Sequence, residues 1–179
     1  MCFSTFVTTA QAAHHLVVVD CPMSTAGTAE ETRMRVDETR ERANAALKSG
    51  DAHSARRLYT SAISLAEQLP FAPPPPKGMP SALAALLCNR CVANLALDET
   101  EAAMRDAEAA VKAAPRWPKV YFRLGTCLMR TKAFTRAYAA FKRGWHMDMQ
   151  NAEMNRACQQ AFEACRDIDR RPLITANQL

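Results

Sequence analysis

The sequence predicts an all-α fold made of repeated helix pairs, and three observations lead to this prediction. The 10 prolines of the 179-residue chain are clustered: 24–68 contains none, and 82–170 contains only Pro115 and Pro118. Because proline interrupts helix interiors, both windows can be helical. Their content of Ala, Leu, Arg, Glu and Met favours helices. Small residues also recur at a regular spacing within these windows.

The composition is typical of a soluble globular domain, with 49% hydrophobic and 23% charged residues. No run of about 18 apolar residues occurs, so we expect no membrane-spanning helix. The net charge is +5, and every Lys and Arg follows residue 30. A moderately basic module favours acidic partners. No nucleic-acid recognition motif or aromatic platform accompanies the charge, so we do not expect nucleic acid to be the partner.

The seven cysteines are odd in number and mostly occupy apolar positions of helical segments. This usage is typical of reduced cytosolic proteins and not of a disulfide framework. The segment CNRC at 88–91 is formally a CxxC motif, but no second pair of ligands stands at zinc spacing. We therefore expect no metal site and no cofactor.

The first 31 residues are predicted to be an irregular or disordered leader. Residues 1–30 contain no Lys or Arg, whereas a secretory signal needs a positive start and a mitochondrial presequence needs arginines. The segment MSTAGTAEE from Met23 resembles an ordinary cytosolic start, which leaves open whether 1–22 belong to the mature protein. We expect the protein to be cytoplasmic.

Three segments each form the end of a predicted helical stretch, and each follows a small residue. They are LYTSAISLAEQLP (58–70), AEAAVKAAPRW (107–117) and AFKRGWHMDMQ (140–150), which follow Ala55, Ala103 and Ala137. A second small slot holds Cys91 and Gly125, which are 34 apart, and Ala43, which precedes Cys91 by 48. The excess of 14 is accounted for by EQLPFAPPPPKGMP at 67–80, which cannot be helical and is interpreted as an insertion.

A period of about 34 with two helices per unit resembles the tetratricopeptide repeat. The resemblance covers about 33–150 and is carried by residues that recur in matching slots: Gly50, Asp51, Ala55, Tyr59, Ala62 and Ile63; Cys91, Ala103, Ala110 and Pro115; and Tyr121, Leu124, Gly125, Phe134, Ala137 and Phe141. It implies a right-handed superhelical solenoid in which the first helix of each repeat lines a concave groove. Between the second pair of helices, Asp98 and Glu101 have the spacing of a capping box.

The domain is expected to span 32–168, followed by a flexible tail at 169–179. Its parts are repeat one (about 33–68), the proline-rich insertion (69–80), repeat two (81–115), repeat three (116–150) and a capping helix (151–168). A cap is needed because no repeat buries its own apolar face. Met154, Cys158, Phe162 and Cys165 recur at helical spacing in the last segment and are expected to supply it.

Five polar residues resemble the carboxylate clamp of co-chaperone tetratricopeptide domains. The family has Lys and Asn in the first groove helix, Asn in the second, and Lys and Arg in the third. The matching residues here are Arg40, Asn44, Asn89, Lys119 and Arg123, with Arg40 in place of the first Lys. Arg and Lys differ in reach and geometry. A further three residues, Leu47, Val92 and Leu95, are expected either to line the groove or to belong to the core.

The resemblance implies an adaptor or co-chaperone that binds the acidic tail, ending Glu-Glu-Val-Asp, of heat-shock protein 90, heat-shock protein 70 or both. The alternative is a scaffold that binds an internal helical or extended segment of an unrelated partner. We do not expect an enzyme, since no acid or nucleophile is paired by motif with any of the four histidines. We expect a monomer. A proline-rich recognition role for APPPPKG, or a spacer role, stays open.

Overall fold

A computed structural model describes residues 23–69 and 80–169, which form seven helices. They are α1 (Met23–Lys48), α2 (Ala52–Glu67), α3 (Ala82–Ala96), α4 (Thr100–Ala113), α5 (Pro118–Arg130), α6 (Phe134–Met147) and α7 (Ala152–Asp169). α1 packs against α2, α3 against α4, and α5 against α6, while α7 covers α6. The predicted all-α fold of three helix pairs and a capping helix is confirmed. Within the described residues, no helix combines the length and apolarity needed to cross a bilayer.

The first helix begins earlier than the sequence predicted. α1 starts at Met23, so the expectation of irregular chain up to residue 31 is wrong for 23–31. Once a helix is nucleated, each added residue gains a hydrogen bond, and this lets α1 extend toward the N-terminus. The rest of the predicted leader (1–22), most of the proline-rich insertion (70–79) and the tail from 170 lie outside the described residues, so the predictions for them stay predictions.

The turns within the three helix pairs have the same backbone conformation. Gly50, Asp98 and Lys132 have positive φ angles of 86°, 62° and 59°. In each turn the next residue donates its N–H to a carbonyl five residues back, as in Asp51 to Ala46 at 2.9 Å, which is the Schellman arrangement. These turns recur at the intervals of 48 and 34 predicted for the repeats.

The predicted capping box at Asp98 is wrong. Asp98 occupies the left-handed position of the turn, and its carboxylate accepts a hydrogen bond from Arg130 on the next repeat. α4 instead begins after Glu99, whose side chain makes no capping hydrogen bond. Short polar Asp tolerates the left-handed region better than most residues, so the same sequence suits a helix end as well as a helix start.

The small-residue slots are sites where two helices approach closely. Ala55, Ala103 and Ala137 are completely buried. A Cβ atom on Gly125 would lie 2.5 Å from the ring of Phe141 on α6, which is well inside van der Waals contact. The ring therefore takes the space that any larger residue at position 125 would need.

A buried ion pair fixes α3 against α4. Arg90 donates from Nε and Nη2 to the two carboxylate oxygens of Asp106, at 2.9 and 2.6 Å. Asn94, which is only 3% exposed, donates to the same carboxylate at 2.9 Å, while its buried Oδ1 has no partner among the described residues. Because Arg90 follows Asn89 directly, this network also sets the direction in which α3 presents Asn89.

The capping helix is anchored at its first turn. Asn151 accepts a hydrogen bond from the backbone N–H of Met154 at 2.9 Å, and the Met154 side chain is buried against Gly144. Phe162, which was expected to belong to the packed face of the cap, is 47% exposed and contacts Tyr138 with ring centroids 5.5 Å apart. Met154 and Ala161 are buried residues of this helix, so the packed face of the cap includes a small residue that the sequence analysis did not name.

Candidate functional site

Two asparagines from different repeats meet at the centre of the site. The Oδ1 atom of Asn44 on α1 accepts a hydrogen bond from Asn89 Nδ2 on α3, at 3.1 Å. It also accepts one from the hydroxyl of Tyr59 on α2, at 2.6 Å. With Oδ1 occupied in this way, the Nδ2 group of Asn44 is a donor available to a ligand.

Tyr59 sets the orientation of this pair. Its side chain is completely buried, and burial raises the pKa of the hydroxyl while a hydrogen bond from Asn89 opposes the rise. The hydroxyl is therefore a proton donor at every physiological pH. The hydroxyl donates to Asn44 Oδ1, and together with the Asn89 Nδ2 donor it holds the Asn44 amide with its oxygen inward.

Lys119 and Arg123 supply positive charge from α5, one helical turn apart. Lys119 is exposed and lies 5.6 Å from the ring centroid of Trp117, while the Arg123 guanidinium lies 5.5 Å from that of Phe122. Within the described residues neither cation forms an ion pair, and the buried Nε of Arg123 has no hydrogen-bond partner. Arg90, by contrast, is neutralised by Asp106. Lys119 and Arg123 therefore make no direct ion pair with a described residue, although Asp148 and Glu153 line the same cavity.

The Cys88 thiol on α3 is affected by the positive charges of Arg123 and Lys119 on α5. Burial raises the pKa of the Cys88 thiol to about 11, and the positive charges of Arg123 and then Lys119 oppose this rise. Cys88 immediately precedes Asn89 on α3. The positive charge of α5 therefore influences α3, which is the helix that carries Asn89.

Arg40 shares a helix face with Asn44, but its charge is not free. Its guanidinium forms an ion pair with Asp37, one turn earlier on α1, at 3.0 Å. The Arg40 side chain is 34% exposed, so solvent weakens this pair. Of the five residues predicted from sequence, Asn44 and Asn89 are hydrogen-bonded to each other and Arg40 is paired with a neighbouring acid. Lys119 and Arg123 form no ion pair with the residues that the structure describes.

The three apolar residues predicted for the groove walls are all partly buried. Leu47 packs against the main core, which includes Tyr59. Leu95 packs against a smaller cluster that includes Cys91 and Cys127. Leu47 and Leu95 therefore have packing roles, and a role for Leu47, Val92 or Leu95 in ligand contact stays a prediction.

A cavity of about 330 Å³ continues the site toward the capping helix. Lys119, Phe122 and Arg123 form one side, and Asn151 and Glu153 near the start of α7 form part of the other. Sequence reasoning did not identify this cavity, the hydroxyl of Tyr59 or the aromatic partners of the cations. Tyr59 had been assigned only to a repeat slot, and the sequence carries no signal for the direction of its hydroxyl.

Comparison with known proteins identifies related helical repeats. No protein-family model matches the chain. A protein of Dictyostelium discoideum described as a STIP1 homolog is 29% identical over 131 residues, which is 73% of this chain. The chain spans 21% of the length of that relative.

Solved structures share the fold. The tetratricopeptide domain of Sgt2 from Aspergillus fumigatus superposes with a TM-score of 0.64 and 24% identity, covering 75% of this chain and 82% of that one. The first tetratricopeptide domain of Spaghetti (RPAP3), solved with the HSP90 peptide SRMEEVD, has a TM-score of 0.64 and 19% identity, covering 74% and 97%. The described part of this chain therefore has the fold of a tetratricopeptide repeat domain.

Proposed function

We propose that this domain binds the acidic C-terminal tail, ending Glu-Glu-Val-Asp, of heat-shock protein 90, heat-shock protein 70 or both, and so acts as a co-chaperone or adaptor. The observation that carries the proposal is the hydrogen-bonded amide pair of Asn44 and Asn89, together with Lys119 and Arg123, which form no ion pair with a described residue. The pair presents hydrogen-bond donors, and the cations add charge from the adjacent repeat.

The donor set matches the chemistry of a C-terminal aspartate. Such a residue carries two carboxylates, the side chain and the chain terminus, within a few ångströms of each other. Asn44 and Asn89 can donate neutral hydrogen bonds, while Lys119 and Arg123 can donate charge-assisted ones. Capture of a free terminal carboxylate by clustered donors is an established mode of peptide recognition.

Arg123 gains most from an incoming acceptor. Its Nε is buried and unpaired among the described residues, and an unmet donor on a charged group is costly. A carboxylate that approaches the guanidinium would stabilise its positive charge through charge-assisted hydrogen bonds. Arg40 has a lesser role in this account, because its partner Asp37 competes with the ligand for the guanidinium.

The comparisons support the same ligand class. Spaghetti, whose tetratricopeptide domain shares the fold, was solved with a peptide that ends in Glu-Glu-Val-Asp. The similarity to the STIP1 homolog covers most of this chain. We extend the ligand class to this chain because its own residues supply the required donors.

Removal of the cations tests the proposal. A peptide ending Met-Glu-Glu-Val-Asp is titrated into the protein, into Lys119→Ala/Arg123→Ala, and into Lys112→Ala/Arg136→Ala. The control pair removes the same charge from exposed positions on α4 and α6. We expect at least a tenfold loss of affinity for the first variant and less than threefold for the control. Equal losses would indicate nonspecific attraction, and no loss in either would favour a scaffold with a different partner.

A further inference from the structure

Cys91 and Cys127 face each other at the junction of the second and third repeats. Their Sγ atoms are 3.5 Å apart, and the two residues are separated by 36 positions in the sequence. Both side chains are completely buried, in a cluster with Ala103 and Ala107. The contact therefore joins α3 to α5 rather than two turns of one helix.

The two thiols are chemically unequal. The hydrogen-bonding contact with Cys91 lowers the pKa of Cys127, burial opposes this effect, and the charge of Arg123 reinforces it. The same contact raises the pKa of Cys91, and burial raises it further. Cys127 is thus the first of the two to lose its proton, and the thiolate is the reactive form of cysteine.

We propose that Cys91 and Cys127 form an oxidisable dithiol that closes to a disulfide on exposure to a peroxide. The Cys127 thiolate attacks a peroxide oxygen, which breaks the O–O bond and gives a sulfenic acid. Cys91 then loses its proton and displaces the sulfenic oxygen as water, which forms the S–S bond. Two thiols lose two hydrogens in total, and one hydrogen peroxide becomes two waters.

Closing the bridge requires the two sulfurs to move together. A disulfide has an S–S distance of about 2.05 Å, so the sulfurs must approach by roughly 1.5 Å from their present contact. Because both are buried, the peroxide reaches them at the rate at which this junction opens locally. The bridge closes the loop between 91 and 127 and restricts the unfolded chain, so the oxidised domain resists unfolding better than the reduced one.

The neighbouring Cys88 does not compete for this bridge. It shares the CNRC segment with Cys91, yet it is buried in the main core, whereas Cys91 belongs to the smaller cluster. Among the described residues its sulfur contacts no other sulfur. The pairing is thus set by the packing of α3 on α5 and not by the CxxC spacing. This inference does not depend on the proposed peptide ligand.

Peptide mapping of the full chain tests the proposal. The reduced protein is exposed to hydrogen peroxide, remaining thiols are alkylated under denaturing conditions, and the digest is analysed by mass spectrometry. We expect a linked pair of peptides containing Cys91 and Cys127, lighter by two hydrogens and separated by dithiothreitol. Free thiols at both positions after prolonged exposure, or a link between Cys88 and Cys91, would overturn the proposal.

Thermal unfolding provides a second readout. We expect peroxide to raise the melting temperature of the native sequence and of Cys88→Ala, and to leave Cys91→Ala and Cys127→Ala without an increase. A rise in Cys91→Ala equal to that of the native sequence would contradict the assignment. If a variant does not fold, the peptide map of the native sequence decides alone.

Discussion

Asn44 and Asn89 stand 45 positions apart in the sequence, yet the amide of one donates to the amide of the other at 3.1 Å. The contact joins the first helices of two repeats, on either side of an insertion. The position of each donor thus depends on the packing of both repeats, so a ligand that binds both amides is sensitive to the geometry of the whole groove.

Asn89→Ala tests the amide pair. A hydrogen bond to a charged ligand group contributes about 1.5–3 kcal/mol, so we expect the Kd for a Glu-Glu-Val-Asp peptide to rise by about tenfold or more. Calorimetric titration measures the change. Asn155→Ala, at an exposed position on α7, serves as the control and should bind as the native protein does. Unchanged affinity in Asn89→Ala would remove this residue from the site.

Tyr59→Phe removes the hydroxyl and keeps the ring. The loss of the hydrogen bond to Asn44 should lower the free energy of unfolding by about 1 kcal/mol. Peptide affinity should fall severalfold, because the Asn44 amide is then free to turn. Denaturant titration measures the first effect and peptide titration the second. If Tyr59→Phe kept both the stability and the peptide affinity of the native protein, Tyr59 would not position Asn44.

The raised pKa of Tyr59 predicts a pH dependence of stability. In the unfolded chain the hydroxyl ionises near its ordinary pKa of 10.0, whereas burial raises the pKa in the folded protein. The unfolded state therefore loses its proton first, and stability falls as pH rises above about 10. We expect the stability difference between the native protein and Tyr59→Phe to shrink from pH 9 to pH 11. A constant difference would contradict this account.

Gly125→Ala tests the close approach of α5 and α6. The added Cβ would meet the Phe141 ring at 2.5 Å, so we expect a loss of about 1–3 kcal/mol in the free energy of unfolding. Phe141→Leu in the same chain should recover part of that loss, which a double-mutant cycle reveals as coupling. Strictly additive losses would show that the ring is not the obstacle.

Lys132→Gly tests the shared turn conformation. Lys132 has a φ of 59°, which costs an ordinary residue about 1–2 kcal/mol and costs glycine little. After the entropic cost of glycine, we expect a gain of a few tenths to about 1 kcal/mol, measured by denaturant unfolding. Ala139→Gly, at an exposed position inside α6, should instead lose about 1 kcal/mol. Equal losses of unfolding free energy in the two variants would show that the positive φ of Lys132 is not strained.

The repeat architecture could be predicted because it depends on residue size at fixed intervals. Ala55, Ala103, Ala137 and Gly125 recur with the period, and their burial follows from the close helix contacts that such a period demands. The early start of α1 could not be predicted in the same way. Gly27 and three Ser or Thr residues within 23–31 disfavour helix, but a helix that is already nucleated can extend through them.

The candidate site was predictable in part. The spacing of Lys119 and Arg123 puts them on one face of α5, and neither forms an ion pair with any residue in 23–69 or 80–169. The ion pair of Arg40 with Asp37 follows helical spacing too, yet competing acids nearby make such pairing hard to foresee. The direction of the Tyr59 hydroxyl depends on how α2 packs against α1 and α3, and no local sequence pattern predicts that packing.

Binding of a free peptide terminus tests the central claim most directly. A peptide ending Met-Glu-Glu-Val-Asp and the same peptide with an amidated C-terminus are titrated into the native protein at low and moderate salt. We predict that the free peptide binds, that salt weakens the binding because the contacts are ionic, and that amidation abolishes it. Equal binding of both peptides, or no binding of the free peptide at millimolar concentration by the folded protein, would contradict the claim.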